Sequence, residues 1–119
     1  MTFRVEIVFD KHYSCPSGHD SNEHATDLDR RTWTCRTCQQ SVHIEMVDKA
    51  GNSYIVERRQ AREIRMDDYI VYRVKSGIAC NFVTGSNPSK YKVGKWYLGV
   101  KDFGSDADLS PDQYISRIP

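Results

Sequence analysis

The sequence predicts a mainly β protein, and two kinds of local pattern support this prediction. Apolar and polar residues alternate over short runs such as 42–46, as is typical of strands with one buried face. Turn signals such as Ser76-Gly77 separate the runs, and a two-residue turn of this type connects hairpin strands. We therefore expect an N-terminal metal-binding lobe packed on a small twisted β-barrel or sheet, with a short C-terminal helix.

The expected strands follow from the alternation and from the turns that bound it. Lys49-Ala50-Gly51-Asn52 predicts one of these turns, whereas the polar residues 20–31 predict an exposed loop. Four arginines in residues 58–65 allow a helical turn, and residues 85–88 open a loop. The six predicted strands are residues 3–9, 42–46, 54–56, 69–75, 78–84 and 95–100.

A short helix is predicted to begin at Ser110. Proline at the next position suits the first turn of a helix, and Gln113 completes a capping box with Ser110. Leu109 and Tyr114 have the spacing of a hydrophobic staple.

Three of the four cysteines lie between residues 15 and 38 and indicate a metal site. Cys15 and His19 form one short-spaced pair, and Cys35 and Cys38 form a second pair after a polar loop. Structural zinc is bound tetrahedrally by four sulfur and nitrogen ligands, usually from two such pairs. A disulfide would suit an exported protein, but no signal peptide opens the chain. We expect one structural zinc ion in a cytoplasmic protein.

This stretch resembles a zinc ribbon, in which two strand-flanked knuckles hold the metal. The Trp33-x-Cys35-x-x-Cys38 segment matches the second knuckle, and Cys15-Pro16 matches the start of the first. Many ribbons have a second cysteine where Gly18 stands here, so His24 and His12 are alternatives to His19 as the fourth ligand.

The second half has a shorter resemblance to small β-barrels of the PUA-like or SH3-like kind. Ala61-x-x-Ile64 followed by Asp68-x-Ile70 resembles the entry to such barrels, although they usually have Gly-Asp where this chain has Asp67-Asp68. The resemblance implies a module that binds nucleic acid or peptide.

With 119 residues, the chain is large enough for one domain or two small lobes that share a core. We expect a zinc-ribbon lobe at residues 1–56 and a barrel-like lobe at residues 57–119, which could equally form one continuous domain. No apolar run is long enough to span a membrane.

The net charge of +1 conceals a basic middle between acidic flanks. Residues 57–101 have ten Lys and Arg against four Asp and Glu, whereas residues 102–119 have one against four. Such a surface can bind an anionic partner, or its charges can pair among themselves. The predicted nucleic-acid-binding residues are Arg58, Arg59, Arg62, Arg65, Lys90, Lys92, Lys95, Tyr91, Trp96 and Tyr97.

Catalysis is not expected. Three cysteines and a histidine close the zinc shell, whereas a catalytic zinc keeps one position for water. The deaminase pattern needs His-x-Glu on a helix before its Cys-x-x-Cys, but His43-Ile44-Glu45 follows that motif on a predicted strand. Cys80 lies in an apolar run and is expected to be a buried thiol.

The predicted function is therefore non-enzymatic binding of RNA or single-stranded nucleic acid through basic groups and aromatic rings. The alternative is a protein-binding adaptor or inhibitor that presents edge strands and aromatic anchors to a partner.

Overall fold

The computed structural model describes residues 3–17 and 28–119. Strand accounts for 52% of these residues, and no helix among them reaches seven residues, so the mainly β prediction is confirmed. The strands in chain order are β1 (Asp10–Ser14), β2 (Leu28–Asp29), β3 (Thr34–Cys35), β4 (His43–Val47), β5 (Ser53–Gln60), β6 (Tyr69–Val74), β7 (Gly77–Pro88), β8 (Trp96–Val100), β9 (Gly104–Leu109) and β10 (Tyr114–Arg117).

Eight strands form one antiparallel sheet in the order β1-β4-β5-β10-β6-β7-β8-β9, and β2 pairs with β3 in a separate hairpin. Within the described residues, β1 and β9 are therefore the edges of the large sheet. Short 3-10 turns at Ile7–Phe9 and Ala61–Glu63 precede β1 and follow β5. Among the residues described, no helical segment combines the length and hydrophobicity needed to cross a bilayer.

The long strand β5 pairs with a different neighbouring strand in each of its halves. Its first half pairs with β4, whereas its second half pairs with β10. The change of partner occurs between Val56 and Glu57, where the sequence predicts the boundary of the two lobes. No linker separates these halves, and the division into lobes stays a prediction.

The central sheet has apolar side chains on both faces. On β6, Ile70 and Tyr72 belong to one core, whereas Val71 between them belongs to the other, as expected when side chains alternate along a strand. The first core contains Phe3, Ala61, Ile64, Ile70, Tyr72, Val83, Leu98, Val100, Leu109 and Ile115. The second core contains Cys15, Leu28, Trp33, Cys35, Val42, Ile44, Met46, Val56, Val71 and Ile78.

The prediction of a short C-terminal helix is wrong. The Ser110 hydroxyl accepts a hydrogen bond from the Asp112 N–H, and its carbonyl accepts one from Gln113, so the capping signals form a tight turn. Residues 114–117 then enter the sheet as β10, where they pair with both β5 and β6. Ile115 is fully buried there, and two partner strands satisfy more backbone groups than an isolated helical turn would.

The predicted strand at residues 3–9 is also wrong. Phe3 is buried in the first core, but Ile7 and Val8 are exposed in a 3-10 turn, and the strand begins at Asp10. Strand β7 is longer than expected, since it includes the residues 85–88 that were predicted to open a loop. The predicted hairpin is confirmed, but its two turn residues are Lys75 and Ser76, because Gly77 already pairs with Val74 as the first residue of β7.

The Asp48 carboxylate links the turn between β4 and β5 to the turn between β6 and β7. Its carboxylate accepts hydrogen bonds from the backbone N–H of Asn52 (2.9 Å), the Asn52 side-chain amide (3.0 Å) and the Ile78 N–H (3.1 Å). The Asn52 side chain lowers the pKa of Asp48 most, burial opposes it, and the Ile78 N–H lowers it further. A methyl group at Gly77 would lie 2.2 Å from the same carboxylate, so glycine is needed there.

This arrangement predicts a pH-dependent contribution to stability. The pKa of Asp48 is lower when folded than when unfolded, so its stabilising effect is complete above the unfolded pKa of about 3.9 and is lost as pH falls through the folded pKa. We expect Asp48→Ala to lower the free energy of unfolding at pH 7, and the difference from wild type to shrink toward pH 3. Urea unfolding of wild type and Asp48→Ala between pH 3 and pH 7 measures this difference in unfolding free energy. Glu45→Ala is the control. A difference independent of pH would contradict the expectation.

Candidate metal centre and binding surface

Three cysteine thiols meet where β1 ends and the β2–β3 hairpin turns toward β4. The Sγ atoms of Cys15, Cys35 and Cys38 all lie within 4.8 Å of one another. The Cys15 and Cys38 sulfurs are 3.5 Å apart, which is far longer than a disulfide and close to the roughly 3.8 Å between two thiolates on a tetrahedral zinc. These three thiols can bind one metal ion together.

The backbone around Cys35 and Cys38 forms a tight knuckle. The Gln39 N–H donates to the Cys35 carbonyl (2.7 Å), and the Cys35 N–H donates to the Gln40 carbonyl (2.8 Å). Gln39 has a positive φ of 59°, the left-handed conformation that closes such a turn. This turn brings both thiols to one side, where they could bind the same metal ion.

The local electrostatics favour a thiolate at Cys35. Burial alone would raise the pKa of the Cys35 thiol, but hydrogen bonds from the Cys38 and Thr37 N–H groups and from the neighbouring thiols lower it to about 7. For Cys38, the Gln40 N–H lowers the pKa, but burial and the thiols of Cys15 and Cys35 outweigh it and raise the pKa. A bound cation would be required for all three groups to be thiolates at this spacing.

The fourth ligand expected from the sequence lies outside the described residues, because His19 and His24 both fall in the range 18–27. The alternative, His12, lies on β1 with an exposed side chain. Comparison with protein-family models, curated proteins and solved structures finds no significant match to this chain. The resemblances to a zinc ribbon and to a small barrel therefore rest on the motifs alone.

A buried arginine connects the metal-binding knuckle to the sheet. The Arg58 side chain is 0% exposed and forms a two-pronged ion pair with the Asp10 carboxylate, with N–O distances of 2.7 and 2.8 Å. Its guanidinium also lies 4.3 Å from the centre of the Trp33 ring. The Tyr13 hydroxyl donates to the same carboxylate (2.7 Å), and its ring stacks near Trp33.

Arg58 therefore has no exposed surface with which to contact a phosphate, contrary to the role expected from the sequence. Its position follows from the strand: Val56 and Arg58 are two residues apart on β5 and face the second core together.

Arg62 and Arg65 are exposed and Arg59 is half-buried, but most of these arginines are paired with acidic groups. Arg59 is 3.4 Å from Glu57 and 3.5 Å from Glu63, and Arg62 pairs with Asp112. Arg65 instead donates to a backbone carbonyl (3.0 Å). Since a paired charge attracts an external anion weakly, little of the positive charge here is available.

The basic loop, residues 89–95 between β7 and β8, is different. Lys90 and Lys95 are exposed, and neither has an acidic partner within 4.0 Å in the described part of the chain. Tyr91 is 84% exposed, whereas Lys92 pairs with Asp108 at 3.3 Å. The Ser89 hydroxyl accepts hydrogen bonds from the N–H groups of two loop residues, so the loop has a defined shape.

Trp96 and Tyr97 lie on opposite faces of β8, as expected for adjacent strand residues. Trp96 packs against the first core, and its indole N–H donates to the Ser86 hydroxyl (2.9 Å). Tyr97 lines a surface pocket of about 250 Å³ with Asn87, Lys90 and Tyr91. Of the two predicted ring-stacking residues on β8, Tyr97 is therefore the one placed at the surface.

Sequence reasoning missed two groups of surface residues. Asn87 was assigned to a loop, so its place beside Tyr97 could be found only from the register of β7 and β8. On β6 and β7, Tyr69 and Phe82 form an edge-to-face pair, and Lys101 lies 5.2 Å from the Phe82 ring. The i, i+2 spacing places residues 85 and 87 on one face of their strand and residues 97 and 99 on one face of theirs, but it does not give the pairing of the two strands.

Proposed function

We propose that the protein is a non-enzymatic binding module that contains one structural zinc ion and binds RNA or single-stranded DNA through its basic loop. The unpaired Lys90 and Lys95 beside the exposed Tyr91 are the observation that supports this proposal. Lysines on a protruding loop can contact phosphates, and exposed tyrosine rings can stack on unpaired bases.

The zinc ion would have a structural role in this module. Cys15, Cys35 and Cys38 supply three ligands, and His19 or His24 would complete the tetrahedron. Such a site holds the segment before β4 against the second core, because Cys15 and Cys35 are themselves buried members of that core. The ion would stabilise the fold and would leave no coordination position for a substrate.

The acidic C-terminal region would compete for the same surface. Asp108 is paired with Lys92, and both side chains are more than half exposed, so an external phosphate could displace the carboxylate. Neutralising it with Asp108→Asn would free a third lysine and strengthen binding.

The salt dependence of binding tests the proposal. Each phosphate contact to a single strand contributes about 0.7 to the slope of log affinity against log salt, so the double change Lys90→Ala and Lys95→Ala should reduce the slope by about 1.4. Fluorescence anisotropy with a labelled single-stranded 12-mer at several salt concentrations measures this slope.

Lys75→Ala is the matched control, since this exposed lysine lies in the β6–β7 turn at the opposite end of β7. It should leave the slope unchanged. Wild-type protein without salt-sensitive affinity for RNA or DNA would reject the proposal.

A protein-binding adaptor is the second candidate, and one observation favours it. Ile7 and Val8 are 58% and 69% exposed immediately before β1, which is an edge of the large sheet. An edge strand flanked by apolar side chains can pair with an extended segment of a partner. Ile7→Asp would abolish such an interaction without affecting the basic loop.

A further inference from the structure

The ring of Tyr97 lies across two paired glycines. Gly85 on β7 is directly opposite Gly99 on β8. A methyl group at Gly85 would lie 3.1 Å from the Tyr97 Cε1 atom, and one at Gly99 would lie 2.8 Å from its hydroxyl oxygen. Both glycines have ordinary φ angles, so the space for the ring, and not backbone conformation, requires glycine there.

Three other side chains converge on this ring. Asn87, Lys90 and Tyr91 line the same pocket of about 250 Å³. Asn87 is directly opposite Tyr97 in the β7–β8 register, and its amide nitrogen lies 3.9 Å from the methyl position at Gly85. Its carboxamide has no hydrogen-bond partner among the described residues, so both its donor and its acceptor are available to a ligand.

Packing alone accounts for only part of this arrangement. An aromatic ring placed over cross-strand glycines shields their backbone, which explains Tyr97. Asn87, Lys90 and Tyr91 are exposed around the same concave site and take no part in this shielding. A flat aromatic surface, a donor–acceptor pair and a cation are together the groups that recognise a base and its phosphate.

We propose that this pocket binds one unpaired nucleobase. The proposal rests on the proposed function and assigns its base-binding site. Tyr97 and Tyr91 supply rings for stacking, and the Asn87 carboxamide can pair with a base edge that has one donor and one acceptor, as the edges of adenine and uracil both do. Lys90 is placed to contact the adjacent phosphate.

Anisotropy titrations with labelled adenosine and uridine RNA 12-mers at one salt concentration test this assignment. Asn87→Ala should weaken binding of both strands on the order of tenfold. The salt slope should stay as in wild type, because the carboxamide has no charge. Affinity for both strands that is unchanged in Asn87→Ala would overturn the proposal.

Variants at Tyr97 separate stacking from folding. Tyr97→Leu should weaken binding of both strands on the order of tenfold, and Tyr97→Phe should restore most of the affinity, since it keeps the ring. Thermal unfolding of each variant shows whether the fold is intact. Affinity that is unchanged in both Asn87→Ala and Tyr97→Leu, with normal salt dependence, would overturn the pocket and leave the proposed function. Absence of any binding would overturn both.

Discussion

Replacing Cys38 with serine is expected to unfold the described region through the end of β4 while residues 69–100 stay folded. The change removes one of three thiolates, and binding of structural zinc by small domains supplies about 10–16 kcal/mol. Cys15 and Cys35 lie in the second core, whereas the first core on the opposite face contains no cysteine ligand. Loss of the ion should therefore affect the second core most.

Amide hydrogen exchange measures this difference directly. In Cys38→Ser, protection should be lost in the described residues up to 47 and largely kept in residues 69–100. Cys80→Ala is the matched control, because this cysteine lies outside the three-thiol cluster and is only half-buried. Equal loss of protection throughout would show instead that both cores unfold as one cooperative unit.

The second large effect is expected at the buried ion pair. Arg58→Ala should lower the free energy of unfolding by about 3–5 kcal/mol, because it leaves the buried Asp10 carboxylate without its cation. The change also removes the contact with the Trp33 ring, which joins the β2–β3 hairpin to the sheet. Urea unfolding gives the value, and a double-mutant cycle with Asp10→Ala isolates the coupling between the two groups.

Arg65→Ala is the control for the loss of an arginine. Arg65 is exposed and pairs with no acidic group in the described part of the chain, so its removal should change stability by less than about 0.5 kcal/mol. If Arg58→Ala lowered the free energy of unfolding no more than Arg65→Ala does, the buried ion pair would add nothing to stability.

The sequence was a good guide where local chemistry decides the structure. The spacing of Cys35 and Cys38 with Cys15 predicted a cluster that the structure brings together. The hairpin between β6 and β7 formed within one residue of the predicted position, since a two-residue turn and its flanking strands are encoded within a few residues. The alternation at residues 42–46 likewise corresponds to β4.

The sequence predictions were wrong where residues that are distant in sequence determine the local structure. Ser110–Gln113 has helix-capping signals, but the vacant position between β5 and β6 makes the following residues a strand. The local sequence predicts that Arg58 is a surface cation, but Asp10 and Trp33, which are distant in sequence, enclose it in the folded protein. Asn87 becomes part of a pocket only through the pairing of β7 with β8. Local patterns do not contain these long-range pairings.

The metal content of the purified protein tests most directly whether a zinc ion holds the knuckle together. Native mass spectrometry combined with elemental analysis should find about one zinc ion per folded chain, bound through three thiolates and one histidine. The ion should be absent from Cys35→Ser, and a chelator should release it together with the structure of the second core. A well-folded wild-type protein that contains no metal and has Cys15, Cys35 and Cys38 as free thiols would contradict this result.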